Sequence, residues 1–241
     1  MAHKPKDLVL WSDEALLVIN KPAGLASLPD GYDPKAPHVK SVLAATHDPL
    51  YIVHRLDKDT SGVLVLARSL EAHRLLNTEF EKRRVAKTYH ALVAGRPDWT
   101  ERVMRLPLLP DGDRQHRTVV DRKGKRAVTV LRLLESLGPY SLIEASPQTG
   151  RTHQIRVHLA AAGFPIVGDE LYGRGESISL SEFKLDYKAE KNPERPLIAR
   201  LALHAFSLAF EHPITREALY FEAGYPKDLG AVINQLRKHA R

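Results

Sequence analysis

The stretch YIVHRLDKDTSGVLVLA, residues 51–67, is where the fold is first legible. Residues 51–53 and 62–67 read as two short buried strands. The polar run HRLDKDTS between them reads as a loop whose position both strands fix. Catalytic groups often sit in such loops, because a rigid scaffold holds them still. The plainer alternative is a polar turn at a sheet edge, with Asp57 or Asp59 bonding backbone amides.

Working outward, residues 8–11 and 15–20 read as strands joined by a Ser-Asp-Glu turn, and Lys21-Pro22-Ala23-Gly24 breaks the pattern. Residues 26–38 carry three Pro and one Gly and read as a loop, followed by a short helix over 41–47. Ser69 is expected to cap a helix running to about residue 84, with Ala72, Leu75, Leu76 and Phe80 on one face. Residues 85–95 have strand propensity and place Lys87, Tyr89 and Ala91 on one side. Several strand-like runs follow over 102–146. Thr152 then caps an expected helix, HQIRVHLAAA, stopped by Gly163 and Pro165. Residues 174–196 read as a polar surface excursion, 201–210 and 218–223 as strands, and the segment from about Lys227 as a terminal helix. Strands outnumber helices and do not alternate with them, which gives an α+β class. With no internal repeat or linker, residues 1–241 are expected to form a single domain.

Composition narrows the chemistry. Lys and Arg number 36 against 29 Asp and Glu, a net charge of +7 that favours a polyanionic partner. The absence of cysteine excludes disulfides, thiolate metal sites, Cys nucleophiles and the Cys-dependent zinc deaminases of nucleobases. No apolar run approaches the ~20 residues of a membrane span. The opening MAHKPKDLVLW lacks a secretory core, so a cytoplasmic enzyme with no membrane association is expected.

Two further segments hold candidate functional groups. In QTGRTHQIRVH, residues 148–158, a Gly-containing turn enters a helix, an arrangement that can bind an anion. Arg151 and His153 in its first turn would strengthen attraction for phosphate. Arg156 lies one turn further in, on a largely apolar helix. Its guanidinium needs a buried carboxylate partner unless it snorkels to solvent. His153 and His158 are five residues apart, a poor match to a helical metal pair, and no metal site is expected. In KTYH, residues 87–90, Tyr89 is either a cross-strand packing residue or a stacking platform for a nucleobase.

Taken in order, HRLDKDTSG, KTYHALV and TGRTHQIRVHL resemble the RluA-type family of pseudouridine synthases. LVINKPAGL near the start and LALHAFSLAFEHP near the end extend the resemblance over about residues 16–213. The combination is specific where each piece alone is not. It implies a mixed, mostly antiparallel central sheet with flanking helices and loops around a basic cleft. It implies isomerisation of uridine in ribosomal or transfer RNA, with the base flipped out and no cofactor; a monomer is expected, although the sequence does not fix the oligomeric state. Asp57 resembles the catalytic carboxylate, Arg156 the arginine that pairs with it, and Tyr89 the residue packed against the target base. Arg55 corresponds to a side chain that fills the gap left by the extruded uridine, and Lys21 and Pro22 to a segment lining the cleft. His54, Thr60, Arg151 and His153 fall in the same motifs and complete the expected substrate-binding set. Whether Asp57 attacks the base or the ribose is open.

Many relatives carry a small RNA-binding domain ahead of the catalytic one, and none is expected here because KPAG begins at Lys21. Substrate choice would then fall to loops 26–49, 96–125 and 173–196. One departure is Ser146-Pro147-Gln148, where a more aliphatic lead-in is expected. A magnesium-dependent phosphotransferase using Asp57 and Asp59 is a rival reading, but the one close acidic pair in a suitable loop downstream is Asp169-Glu170. A non-catalytic RNA-binding protein is another, against which stand Asp57, Tyr89 and Arg156.

Overall fold

Every residue of β4 (Ser61–Ala67) is buried, as befits a Val/Leu run covered on both faces. The computed structural model describes residues 5–31, 33–184, 187 and 194–240. These form two compact units interleaved along the chain, 5–88 with His204–Gly224 and Tyr89–Leu203 with 225–240.

In the first unit β4 is flanked by β2 (Leu16–Lys21), antiparallel from Leu16↔Ala67 to Lys21↔Gly62. It is also flanked by β11 (Leu203–Glu211), parallel at His204↔Ser61 and Ala205↔Gly62. β1 (Val9–Ser12) pairs with β2, β12 (Ala218–Glu222) with β11, and the short β3 (Tyr51–Ile52) with β4, all antiparallel. Helix α1 (Val39–Leu43) begins two residues before the expected position because His38 and Ser41 close a capping box at its start. Helix α2 (Leu70–Glu81) starts as read, with Ser69 Oγ accepting from the Ala72 N–H at 3.1 Å. It buries Ala72 and Leu76 against Val63, Val65 and Phe210. It ends at Glu81, three residues short of the expected position. Arg83 turns left-handed (φ +58°), and the N–H groups of Arg83 and Arg84 bond back to the carbonyls of Phe80 and Glu79.

The second unit has β5 (Ala86–Ala94), β10 (Tyr140–Pro147), β9 (Thr129–Leu137) and β6 (Glu101–Met104) adjacent in that order, all antiparallel. A separate ribbon joins β7 (Leu108–Leu109) and β8 (Val119–Val120). Helix α3 (Gln154–Ala161) buries Ile155 and Leu159 in the main core of this unit. Helix α4 (Lys227–His239) adds Leu229, Val232, Ile233 and Leu236, spaced to line one helix face. The strand pairing is thus mixed and mostly antiparallel, with four α-helices among the described residues: the α+β class read from the sequence. Of the excursion over 174–196, residues 185–186 and 188–193 lie outside the described residues.

One glycine fixes how closely β4 and β11 approach. Gly62 has φ +116°, and an added Cβ would lie 2.7 Å from the backbone N and C of Ala205 and closer still to its carbonyl oxygen. The obstacle is backbone, which cannot swing away. Gly62→Ala is therefore expected to destabilise the protein by at least about 3 kcal/mol, read from urea denaturation. A loss below 1 kcal/mol would show that the strand pair adapts.

Candidate active site

The loop that carries Asp57 is fastened from both sides by buried polar groups of the first unit. Ser27 Oγ donates to the Leu56 carbonyl (2.8 Å) and accepts from the Leu56 N–H (3.0 Å), fixing the residue before Asp57. Lys21, wholly buried at the end of β2, donates through Nζ to the carbonyls of Pro22 (3.0 Å), Leu25 (2.7 Å) and Lys58 (3.0 Å). The Lys58 carbonyl also accepts from the Gly24 N–H at 2.9 Å. The Thr60 N–H closes a turn onto the Asp57 carbonyl at 3.1 Å. Asp57 itself is partly buried and Arg55 is exposed. Lys21, read from the sequence as a substrate contact, thus has its ammonium on loop carbonyls.

His54 and His204 brace the strands beneath this loop. His54 Nε2 accepts from the Val65 N–H at 3.1 Å, and its ring stacks on Phe80 at a centroid distance of 4.6 Å. Burial, followed by the positive charge of Lys87, pushes its pKa down to about 3; burial lowers that of Lys87 in turn. His204 is fully buried. Its Nε2 donates to the Ala223 carbonyl (2.9 Å), and its Nδ1 is hydrogen-bonded with the Ser61 hydroxyl (2.9 Å). Thr60 is only 2% exposed, and its Oγ1 has no hydrogen-bond partner among the described residues.

The remaining expected residues lie in the second unit. Tyr89, on β5 opposite Ala145 of β10, is half-buried and packs on the core of that unit. The turn before α3 departs from its expected form. The N-cap is His153 in a left-handed conformation (φ +53°), not Thr152, and the turn is closed by a buried side chain. Gln154 Oε1 accepts from Thr149 Oγ1 (2.7 Å) and the Arg151 N–H (3.0 Å), while its Nε2 donates to the Val128 carbonyl and Thr129 Oγ1, both at 2.9 Å. Arg151 Nε donates to the Arg126 carbonyl at 3.2 Å. His153 Nδ1 pairs with the Tyr172 hydroxyl at 2.9 Å. His158 Nε2 donates to the Leu106 carbonyl (3.1 Å), its Nδ1 bonds Thr129 Oγ1 (2.8 Å), and burial lowers its pKa.

Arg156 does not snorkel. It is 8% exposed and held by a carboxylate: Nε donates to Asp169 Oδ2 at 2.8 Å and Nη2 to Asp169 Oδ1 at 2.7 Å. Asp169 is the residue a phosphotransferase reading would need as a metal ligand. Among the described residues no group of three or more His, Asp or Glu is placed to hold a metal ion. No helix among them is long and apolar enough to cross a membrane.

Residues 15–161 match the RNA pseudouridylate synthase family. The chain is 36% identical to an uncharacterized RNA pseudouridine synthase of Bacillus subtilis strain 168, over 98% of its own length and 75% of that protein. It is 36% identical to ribosomal large subunit pseudouridine synthase D of Zymomonas mobilis, over 97% of its length and 75% of the relative. The chain belongs to the RluA-type family of RNA pseudouridine synthases. Its fold agrees with the solved structure of human RNA pseudouridylate synthase domain containing 4, at TM-score 0.76 and 29% identity over 97% of this chain and 95% of that one. As a member of this family the enzyme is an isomerase converting uridine to pseudouridine in RNA.

Ser27, His204, Gln154 and Asp169 were not among the residues singled out from the sequence as site residues. His204 and Gln154 lie within the motifs LALHAFSLAFEHP and TGRTHQIRVHL, and Asp169 stands in the acidic pair Asp169-Glu170.

Two outcomes follow from the buried polar groups. Folded His54 takes up a proton near pH 3 and unfolded His54 near 6.5, so acidification through that window favours the unfolded state. The unfolding free energy should fall below pH 6.5 with a His54 component of up to about 1.4 kcal/mol per pH unit. Urea denaturation of His54→Gln across pH 4–7 should lack that component; an unchanged slope refutes it. Thr60→Val removes an unsatisfied hydroxyl and should leave stability unchanged or raise it by about 1 kcal/mol. A loss of 2 kcal/mol or more in the same assay would show that the hydroxyl is bonded in solution.

Proposed function

We propose that the enzyme modifies uridines of ribosomal or transfer RNA, with ribosomal RNA the first substrate to test, and that Asp57 is its nucleophile. The observation carrying this reading is the Asp57 loop. Its backbone is fixed on one side by Ser27 and on the other by Lys21 and Gly24, while Asp57 is only partly buried. A nucleophile needs that combination of fixed geometry and access. Ribosomal RNA is favoured because the Zymomonas mobilis relative is named for the large ribosomal subunit. The net charge of +7 suits either RNA, and a cytoplasmic place of action goes with both.

The isomerisation breaks the bond between N1 of uracil and C1′ of ribose, rotates the base and joins C5 to C1′. The proton on C5 leaves to solvent and N1 gains one, so no oxidant, reductant or cofactor enters the balance. A carboxylate attacking the base or the ribose splits the exchange into two easier steps. In this reading Arg156 is the partner of Asp57, Tyr89 supports the flipped base and Arg55 takes its place in the RNA. His54, Lys21, Thr60, Arg151 and His153 shape the surrounding surface, Lys21 and His54 through the backbone they hold. Flipping costs roughly a few kcal/mol, and stacking on Tyr89 would return about 1–3 kcal/mol of it. The interleaving of the two units along the chain favours one catalytic domain over two separable ones.

The test is tritium release from RNA labelled at uracil C5, run separately on unmodified ribosomal and transfer RNA, with the modified position then mapped. Asp57→Asn is expected to lose turnover by at least a thousandfold, on the order of the loss of an essential catalytic group, and to keep RNA affinity within about threefold, since phosphate contacts dominate binding. Turnover by that variant would overturn the nucleophile assignment, and an inactive parent on all RNA would leave RNA binding alone.

A further inference from the structure

The family assignment gives Arg156 a role but says nothing of the carboxylate that holds it. Asp169 is 1% exposed and lies just after the left-handed Gly168 (φ +70°). Its Oδ1 accepts not only from Arg156 but from the N–H groups of Leu171 (3.0 Å) and Tyr172 (3.1 Å). Its own carbonyl accepts from the N–H groups of Gly173 (3.0 Å) and Gly175 (3.1 Å). The carboxylate is therefore locked to the turn that carries it. Against this fixed acceptor Arg156 places its Nε–Nη2 edge, which sets the plane of the guanidinium. The ring of Tyr172, supplied by the same turn, has its centroid 5.1 Å from Cζ, a cation–π contact. The Tyr172 hydroxyl is tied to the Thr118 N–H (3.0 Å) and to His153 (2.9 Å), so the ring is fixed too.

A buried ion pair is a poor source of net stability, because apolar side chains of the same volume do as well or better. What this arrangement supplies is orientation: a guanidinium whose Nε–Nη2 edge is held by a fixed carboxylate has its remaining N–H groups confined to one plane. Its charge is also balanced locally by Asp169.

We infer that Asp169 is a positioning residue for the isomerisation, holding Arg156 as an aimed hydrogen-bond donor to the reacting centre and not as a surplus positive charge for RNA. This rests on the assignment of Arg156 as partner of Asp57 made above. It predicts that disturbing Asp169 lowers kcat and spares RNA affinity, since phosphate attraction depends on net charge and the chemical step on geometry.

The experiment compares Asp169→Asn, Asp169→Glu, Arg156→Lys and the Asp169→Asn/Arg156→Lys double variant by single-turnover tritium release, RNA filter binding and thermal melting. Asp169→Glu keeps the charge and displaces the fork, so it separates geometry from charge. Both Asp169 variants should lose at least tenfold in rate, with the RNA dissociation constant within threefold of the parent. In the Arg156→Lys background Asp169→Asn should lose less than a further threefold, because the fork it served is already gone. Parental rates in a folded Asp169→Glu variant, losses that multiply in the double variant, or a loss confined to RNA affinity would each overturn the inference. Failure of both Asp169 variants to melt cooperatively would also overturn it, by making Asp169 a structural residue. Asp57→Asn and the parent run alongside keep the two levels apart. Turnover by Asp57→Asn, or none by the parent, defeats the functional assignment, whereas an active parent, an inactive Asp57→Asn and a fully active Asp169→Glu defeat only the positioning role.

Discussion

The site depends first on a buried ammonium. Lys21 has no exposed surface, and a cation removed from water is costly unless polar groups replace its hydration. Here the carbonyls of Pro22, Leu25 and Lys58 do so. Because those carbonyls belong to two segments that diverge from β2 and precede β4, the same contacts that solvate the charge join the KPAG turn to the loop of Asp57. Burial of Lys21 and attachment of that loop are one set of contacts.

The same economy of polar groups recurs through both units. His204, His54 and His158 each use ring nitrogens on backbone or hydroxyl groups. Burial keeps His54 and His158 neutral, which is the form able to accept a hydrogen bond at one nitrogen. Gln154 does for the turn before α3 what Lys21 does for the Asp57 loop. It bonds the Thr149 hydroxyl and the Arg151 N–H within the turn and ties them to Val128 and Thr129. One of the amides at that helix start, the Arg151 N–H, is taken by the Gln154 side chain.

Arg156 and Asp169 form a buried ion pair in an interior where apolar residues would pack as well. An arginine fixed along one edge has a directionality that a flexible surface cation lacks. Isomerisation of uridine changes no oxidation state, and placement of a few ordinary side chains is one way to accelerate it.

The sequence by itself determined the α+β class, the strand–loop–strand unit around Asp57, the Ser69 cap of α2, the amphipathic α4 and the family, because each is written in local periodicity or in contiguous motifs. Helix ends were read less well. Arg83 and His153 adopt left-handed conformations that composition favours for glycine, and only surrounding contacts make them acceptable. Which groups brace the site was decided by tertiary structure alone: Ser61 meets His204 across 143 residues and Ser27 meets Leu56 across 29. Arg156 finds Asp169 only after the chain reverses past Gly163 and Pro165. A motif names the residues that do chemistry, but the partner of a buried polar group is set by whichever donor or acceptor the folded chain brings within 3 Å or so, about the length of a hydrogen bond. That proximity has no signature along the sequence.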